Sequence, residues 1–183
     1  VNPSVSKKVF SYDYDPSDPY PSYGGTILGD SVGPALQNRN IDRTDQVNFE
    51  SMVLKKPLIL LGSISASLWL SSDAPCSDFI VCLEDVFPDG KIINIQEGAS
   101  KVYFKGEKPQ KQDISVWATG YQLNPGHKLR VTICSSWFPR FNRSLNTCEP
   151  IYNAQQIRTA SQKIYIGETT PSSINLPIYT LGD

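Results

Sequence analysis

Ser63-Ile64-Ser65-Ala66-Ser67-Leu68-Trp69-Leu70 decides the fold. Ile64, Ala66, Leu68 and Leu70 recur at every second position while serines and Trp69 take the places between, which is the pattern of a half-buried β-strand. Leu129, Val131 and Ile133 alternate with Lys128, Arg130 and Thr132 in the same way. Phe79 to Val86 is apolar on both faces, as a central strand is, and leads through Pro88-Asp89-Gly90 into Lys91-Ile92-Ile93-Asn94-Ile95. Proline presets φ and Gly90 accepts a positive φ, so this stretch reads as a hairpin. Asn124-Pro125-Gly126 repeats the turn chemistry between Ile114 to Trp117 and a strand beginning near His127. Further strands are expected near 47–54, 99–105, 160–166 and 173–178, giving about eight or nine short strands with turn signals between them. The spacing predicts an all-β sandwich or jelly roll with no persuasive helix, although 150–158 has room for one helical turn.

Composition narrows the partner classes. At 183 residues the chain is one domain, long enough to bury roughly 70% of its unfolded surface. Lys and Arg number 17 against 18 Asp and Glu, so no basic field exists to attract nucleic acid. The 39% hydrophobic content excludes disorder, and 14 prolines with 12 glycines exclude long helices. The longest apolar run, Leu58 to Leu61, is far short of the ~18 residues of a membrane-spanning helix, so a soluble chain without a membrane partner is expected. The opening VNPSVSKKVF has no apolar core and is not an intact signal peptide. With Val1 first and one Met, at position 52, the chain looks cut from something longer or processed.

Residues 1–46 differ from the rest. The stretch YDYDPSDPYPSYGG, with Pro16, Pro19 and Pro21, favours extended irregular chain and reads as an arm, not an element, leaving 47–183 as the sandwich. Cys76, Cys82, Cys134 and Cys148 form no C-x-x-C, so zinc and redox motifs are weak readings. Reduced structural thiols are read ahead of bridges, and a cytoplasmic setting ahead of a secreted one.

Few motifs carry chemistry. Gly29-Asp30-Ser31-Val32-Gly33 satisfies G-x-S-x-G and resembles the GDS block of SGNH lipases. A nucleophile elbow needs a strand before it and a helix after it, and neither Thr26-Ile27-Leu28 nor PALQNRN supplies one. Any triad must use His127, the only histidine, which reads instead as a surface or cap residue beside its turn. Asp13, Asp15 and Asp18 fail as an EF-hand loop and read as Asx-turns between prolines, with a calcium site as the lesser reading. Trp137-Phe138-Pro139-Arg140-Phe141-Asn142-Arg143 joins three aromatics to two arginines after a strand, a composition for docking, end-capping or stacking on sugar rings. Asn142-Arg143-Ser144 is a glycosylation sequon only in a secreted eukaryotic setting.

These stretches, in this order, resemble the C-terminal non-catalytic domain of the X-Pro dipeptidyl-peptidase and cocaine esterase family of serine hydrolases. The pieces are Asp15-Pro16-Ser17-Asp18-Pro19-Tyr20-Pro21 with Gly24-Gly25, Gly33-Pro34 and Gln37, then Ser71 to Pro75 with Asp78-Phe79. They continue through Glu84 to Gly90, Trp117-Ala118-Thr119, Pro125 to Val131, and Ser135-Ser136-Trp137-Phe138-Pro139-Arg140-Phe141-Asn142-Arg143 with Leu145-Asn146-Thr147. The resemblance implies a galactose-binding-like jelly roll behind an α/β-hydrolase domain that holds the whole catalytic triad, so no catalytic residue, cofactor or metal is expected here. It implies an arm running along that upstream domain, which is the expected partner, with a homo-oligomer contact as a second. The docking candidates are Tyr20, Pro21, Tyr23, Trp137, Phe138 and Arg140. Leu36, Asn38, Cys76 and Cys148 depart from the family pattern, and a Cys134–Cys148 or Cys76–Cys82 bridge is one reading of the cysteines. The alternatives to an accessory domain are a carbohydrate-binding module using the Trp137 loop and an SGNH-type esterase using Ser31 and His127.

Overall fold

The computed structural model describes residues 8–27, 32–150 and 152–180. Ten strands occur among them: β1 Lys8–Tyr14, β2 Gln46–Glu50, β3 Leu58–Ser72, β4 Cys76–Val86, β5 Ile92–Tyr103, β6 Gln110–Leu123, β7 Lys128–Cys134, β8 Ala160–Ile166, β9 Ser173–Asn175 and β10 Ile178–Tyr179. They form two antiparallel sheets, one ordered β2-β7-β4-β5 and a six-stranded one built around β3. β3 pairs with β6 along one side and with β10, β9 and β8 in relay along the other, and β1 lies outside β8. The two sheets make the jelly-roll sandwich that the strand spacing predicts.

Period-two patterning puts Leu60, Ile64, Ala66, Leu68 and Leu70 of β3 inside, facing Phe79, Val81 and Leu83 of β4 and Leu129 and Ile133 of β7. The hairpin joins β4 to β5, with Gly90 at φ 86° and its N–H donating to Phe87 O at 2.9 Å. The Asn124 to Gly126 turn carries β6 of the larger sheet across to β7 of the smaller one, so it changes sheets and makes no hairpin. The sheets also meet along β5 and β6, where a Cβ on Gly98 would overlap Ser115 O and Val116 Cα. A bulge opposite Ile64 puts the exposed Trp117 at φ 66° nearby.

The arm differs from its expectation. Lys8–Tyr14 is a strand in full register with β8, and Tyr12 and Tyr14 lie in the core. Alternation of Phe10, Tyr12 and Tyr14 was present in the sequence, but the prolines that follow masked it. Residues 15–45 are irregular apart from a 3₁₀ turn at Asn38–Asn40. They cover the outer face of the four-stranded sheet: Ala35 N–H donates to Asn94 Oδ1 at 2.6 Å and Gln37 N–H to Ile92 O at 2.8 Å. The reason lies in β4 and β7, whose outward residues Ile80, Cys82 and Cys134 are apolar and need a cover.

The cysteines also differ from expectation. Cys76 and Cys148 form a disulfide with Cα atoms 5.6 Å apart, while Cys82 and Cys134 are free and buried. Neither reduced thiols throughout nor a Cys134–Cys148 or Cys76–Cys82 bridge describes the molecule. Cys76 opens β4 and Cys148 lies on the loop folded over that sheet, a proximity of 72 residues' separation that spacing does not reveal. Burial pushes both free thiols well above their ordinary range, which leaves them unreactive packing groups. At 150–158 there is a turn in which Asn153 N–H donates to Pro150 O, with no helix among the described residues there.

Candidate docking surface

The loop that follows β7 turns back over the small sheet and meets the arm. Phe138 N–H donates to Tyr20 O at 2.9 Å and Ser22 N–H to Phe138 O at 2.7 Å, so residues 20–22 and 136–138 run side by side. Beneath this ribbon Tyr20 stacks on Trp137 with centroids 5.2 Å apart, both only 1% exposed. Tyr20 donates from its hydroxyl to Gln46 Oε1 at 2.8 Å, and burial pushes its pKa up. The reading of Tyr20 and Trp137 as exposed docking aromatics is therefore corrected. Ile80, Cys82 and Cys134 supply an apolar floor large enough for both rings, and ring burial there outweighs leaving them in water. A Trp137 this deep has no free face for a sugar ring.

Pro21, Tyr23, Phe138 and Arg140 do come together. Phe138 is 43% exposed and Pro21 and Tyr23 are half-buried beside it. Arg140 donates from Nη2 to Thr26 Oγ1 at 2.7 Å and approaches the buried Glu97 at 3.4 Å, which fixes its guanidinium against the loop. Glu97 in turn lies so close to Gly25, at φ 84°, that any Cβ there would collide with its carboxylate. A groove of about 380 Å³ runs along this surface, lined by Tyr23, Ile27, Leu36, Arg39 and Pro139 among others. Arg39 lies over the Tyr23 ring at 5.2 Å, and Leu36 is 43% exposed at the edge. The surface is thus an apolar rim with two held arginines, on a support that the Tyr20–Trp137 stack makes rigid. Sequence reasoning missed Glu97 and noted Leu36 only as a departure from the family pattern, not as a docking residue; β5 mixes Asn94, Gln96, Glu97 and Lys101 with its apolar positions, so nothing local marks Glu97 out.

The hydrolytic motifs fare differently. Ser31 lies outside the described residues. His127 is 8% exposed, not a surface residue: its Nδ1 is 2.8 Å from Asp85 Oδ1, and Phe87 packs on its ring. Tyr121 donates to the other Asp85 oxygen at 3.0 Å, and burial together with that carboxylate pushes the phenol up to about 12. Among the described residues no serine hydroxyl is hydrogen-bonded to this pair, which ties β4, β6 and β7 together at one end of the sandwich. Asp15 accepts from Ser17 N–H at 2.8 Å in an Asx-turn, and Asp18 pairs with Arg43 at 3.2 Å. Among the described residues no three His, Cys, Asp or Glu side chains are grouped as a metal site.

Comparison with known proteins places this geometry. Residues 1–175 match the family model of the X-Pro dipeptidyl-peptidase C-terminal non-catalytic domain. The chain is 37% identical over 190 residues to a cocaine esterase of Rhodococcus sp., covering 96% of this chain and 33% of that protein. An aminopeptidase from a marine sediment Thaumarchaeota archaeon superposes with a TM-score of 0.87 at 24% identity, over 97% of this chain and 34% of that one. An α-amino acid ester hydrolase superposes with a TM-score of 0.82 at 24% identity, over 93% of this chain and 32% of that one. The chain spans about a third of the length of these relatives.

Proposed function

The chain belongs to the X-Pro dipeptidyl-peptidase C-terminal non-catalytic domain family, and on that premise we propose that it docks by the Phe138 surface onto the catalytic domain of a serine hydrolase in the same polypeptide. The relatives are larger hydrolases in which a domain of this kind is one third of the chain. The observation that carries the reading is the rim of Phe138, Leu36, Tyr23 and Arg140, apolar and charged together, held out on a rigid support. Arginine and aromatic groups of this kind concentrate interface energy. In this reading the domain holds the catalytic domain in register and shapes the rim of its cleft, and it performs no hydrolysis alone. The bond cleaved by the parent enzyme is an acyl ester or peptide bond.

The Cys76–Cys148 disulfide supports an oxidising compartment in this reading. No helix among the described residues is long and apolar enough to cross a membrane.

Two experiments test the reading. Treatment of the native chain with a fluorophosphonate probe should leave its intact mass unchanged, and one adduct mapped to Ser31 would make the chain an esterase. In the polypeptide that also carries a catalytic domain, amides of 21–27 and 136–141 should exchange more slowly than in this chain alone. Phe138→Ala should remove that extra protection while leaving stability within about 1 kcal/mol, because Phe138 is 43% exposed and stands outside the apolar core. Equal exchange in the two polypeptides would sink the docking surface.

A further inference from the structure

Between the two sheets, on the inner side of the four-stranded one, lies an apolar cavity of about 150 Å³. Its origin is in the inward row of β3, where Ala66 stands between Ile64 and Leu68 with Ile174 of β9 opposite it. The small side chain at the middle of that row leaves space that the facing residues do not reach. Val81, Ile133, Ile164 and Ile174 line the space, and branching at Cβ restricts their χ1, so they do not swing in to close it. The backbone around them is held by ladders, β9 on β3 and β7 between β2 and β4, and a bridge from Ile166 to Pro171 pins the turn from β8 to β9. Phe49, fixed edge-on by Phe10 at 5.1 Å, completes the wall. The cavity is therefore preformed. At its mouth Ser173 is exposed and Val131 and Ile166 are half-buried, so a ligand can enter without unfolding a strand.

The lining narrows the ligand. Among the described residues no charged side chain lines the cavity. Its half-buried hydroxyl, that of Ser172, is already used: it donates to Tyr165 O at 2.6 Å and accepts from Trp69 N–H at 2.8 Å. An ionic or polyhydroxylated ligand would lose its hydration there with no hydrogen bond in return. A rigid apolar cavity of this volume instead stays dry and admits a benzene ring. We propose that this cavity binds a small neutral apolar molecule of about six to eight heavy atoms, a single ring or a short branched chain. Two fused rings exceed the space. The site goes beyond the docking role and shares no residue with the Phe138 surface.

The test is titration of the intact chain with toluene, followed by the isoleucine and valine methyl signals in NMR and by melting temperature. Benzoate and benzylammonium serve as charged controls of the same shape, and naphthalene as the larger one. Toluene should give saturable shifts at Ile133, Ile164 and Ile174 with a Kd of about 0.1–1 mM, the range open to about seven heavy atoms, and should raise the melting temperature. The charged controls should bind at least about tenfold more weakly, since their hydration is lost on entry. Naphthalene should bind only after Ile174→Ala enlarges the cavity. Ala66→Leu should abolish toluene binding, because its side chain takes the same space; Ala66→Val, a milder filling that makes the same comparison should the larger one not fold, should weaken it several-fold. No saturable toluene binding, binding indifferent to both fillings, or benzoate bound as tightly as toluene would each overturn the proposal. Phe138→Ala leaves this cavity intact and Ala66→Leu leaves the docking surface intact, so the two readings fail separately.

Discussion

The four-stranded sheet has two faces that are buried in different ways. Its inner face meets the larger sheet through Phe79, Val81, Leu83, Leu129 and Ile133, apolar groups whose burial needs no particular partner. Its outer face carries Ile80, Cys82 and Cys134 but also Glu84 and Arg130, 3.2 Å apart and both nearly inaccessible. Thr132 donates to Glu84 at 2.7 Å, yet burial still pushes the Glu84 carboxyl up. The inner face is covered by regular strands and the outer by proline-rich arm and loop. Glu84 and Arg130 find their partners within the sheet, in Thr132 and Asn48, whereas the polar groups Asn94 and Gln46 take theirs from the irregular cover, whose Ala35 N–H and Tyr20 hydroxyl are aimed individually. The cover thereby becomes a third layer, and its outer side carries the half-exposed Pro21, Tyr23 and Phe138.

If that contrast is right, the cover should be cooperative with the sandwich and not a loose flap. Trp137→Ala should cost about 3–5 kcal/mol, as for any large core ring, measured by denaturant unfolding. A loss under about 1 kcal/mol would show that the layer contributes little to the fold. The disulfide gives the next effect: Cys148→Ser opens a loop of 72 residues and should cost about 4 kcal/mol on a chain-entropy estimate. Its expression in unfolding should be a single shifted transition; a second, separate transition would mean that the cover melts alone.

The smallest effect is a pH dependence confined to the outer face. Burial raises Asp78 from the ordinary 3.8 to about 6, against the pull of Lys101. The folded state therefore holds this proton more tightly than the unfolded chain. Stability from this group is fully present below about pH 4 and is lost as pH rises through 6, up to about 3 kcal/mol. Asp78→Asn should flatten the stability profile between pH 4 and 6. An unchanged profile in that variant would assign the titration elsewhere.

Much of the fold was legible because period two is written locally. β3, β7 and the β4–β5 hairpin follow their apolar alternation and turn residues to within a few positions. Phe79 to Val86 even announced its second buried face, since both of its sides are apolar. β1 was hidden because its alternating aromatics run straight into prolines, and the six docking candidates were gathered by composition without knowing which ring had a floor beneath it.

What the sequence determined by itself was the class of fold, the family, and the stretch in which Phe138 and Arg140 lie close together. These depend on contacts within one strand or turn, or on residue order along the chain. Tertiary structure alone decided that Tyr20 and Trp137 are core, that Cys76 bonds to Cys148 and that His127 is held by Asp85. It also decided that Asp78 lies at the floor of a cleft. Each of these joins segments between 42 and 117 residues apart, or sets a strand against a distant loop. The sign of each residue's contribution there is set by what covers it, and no local pattern encodes a cover supplied from so far along the chain.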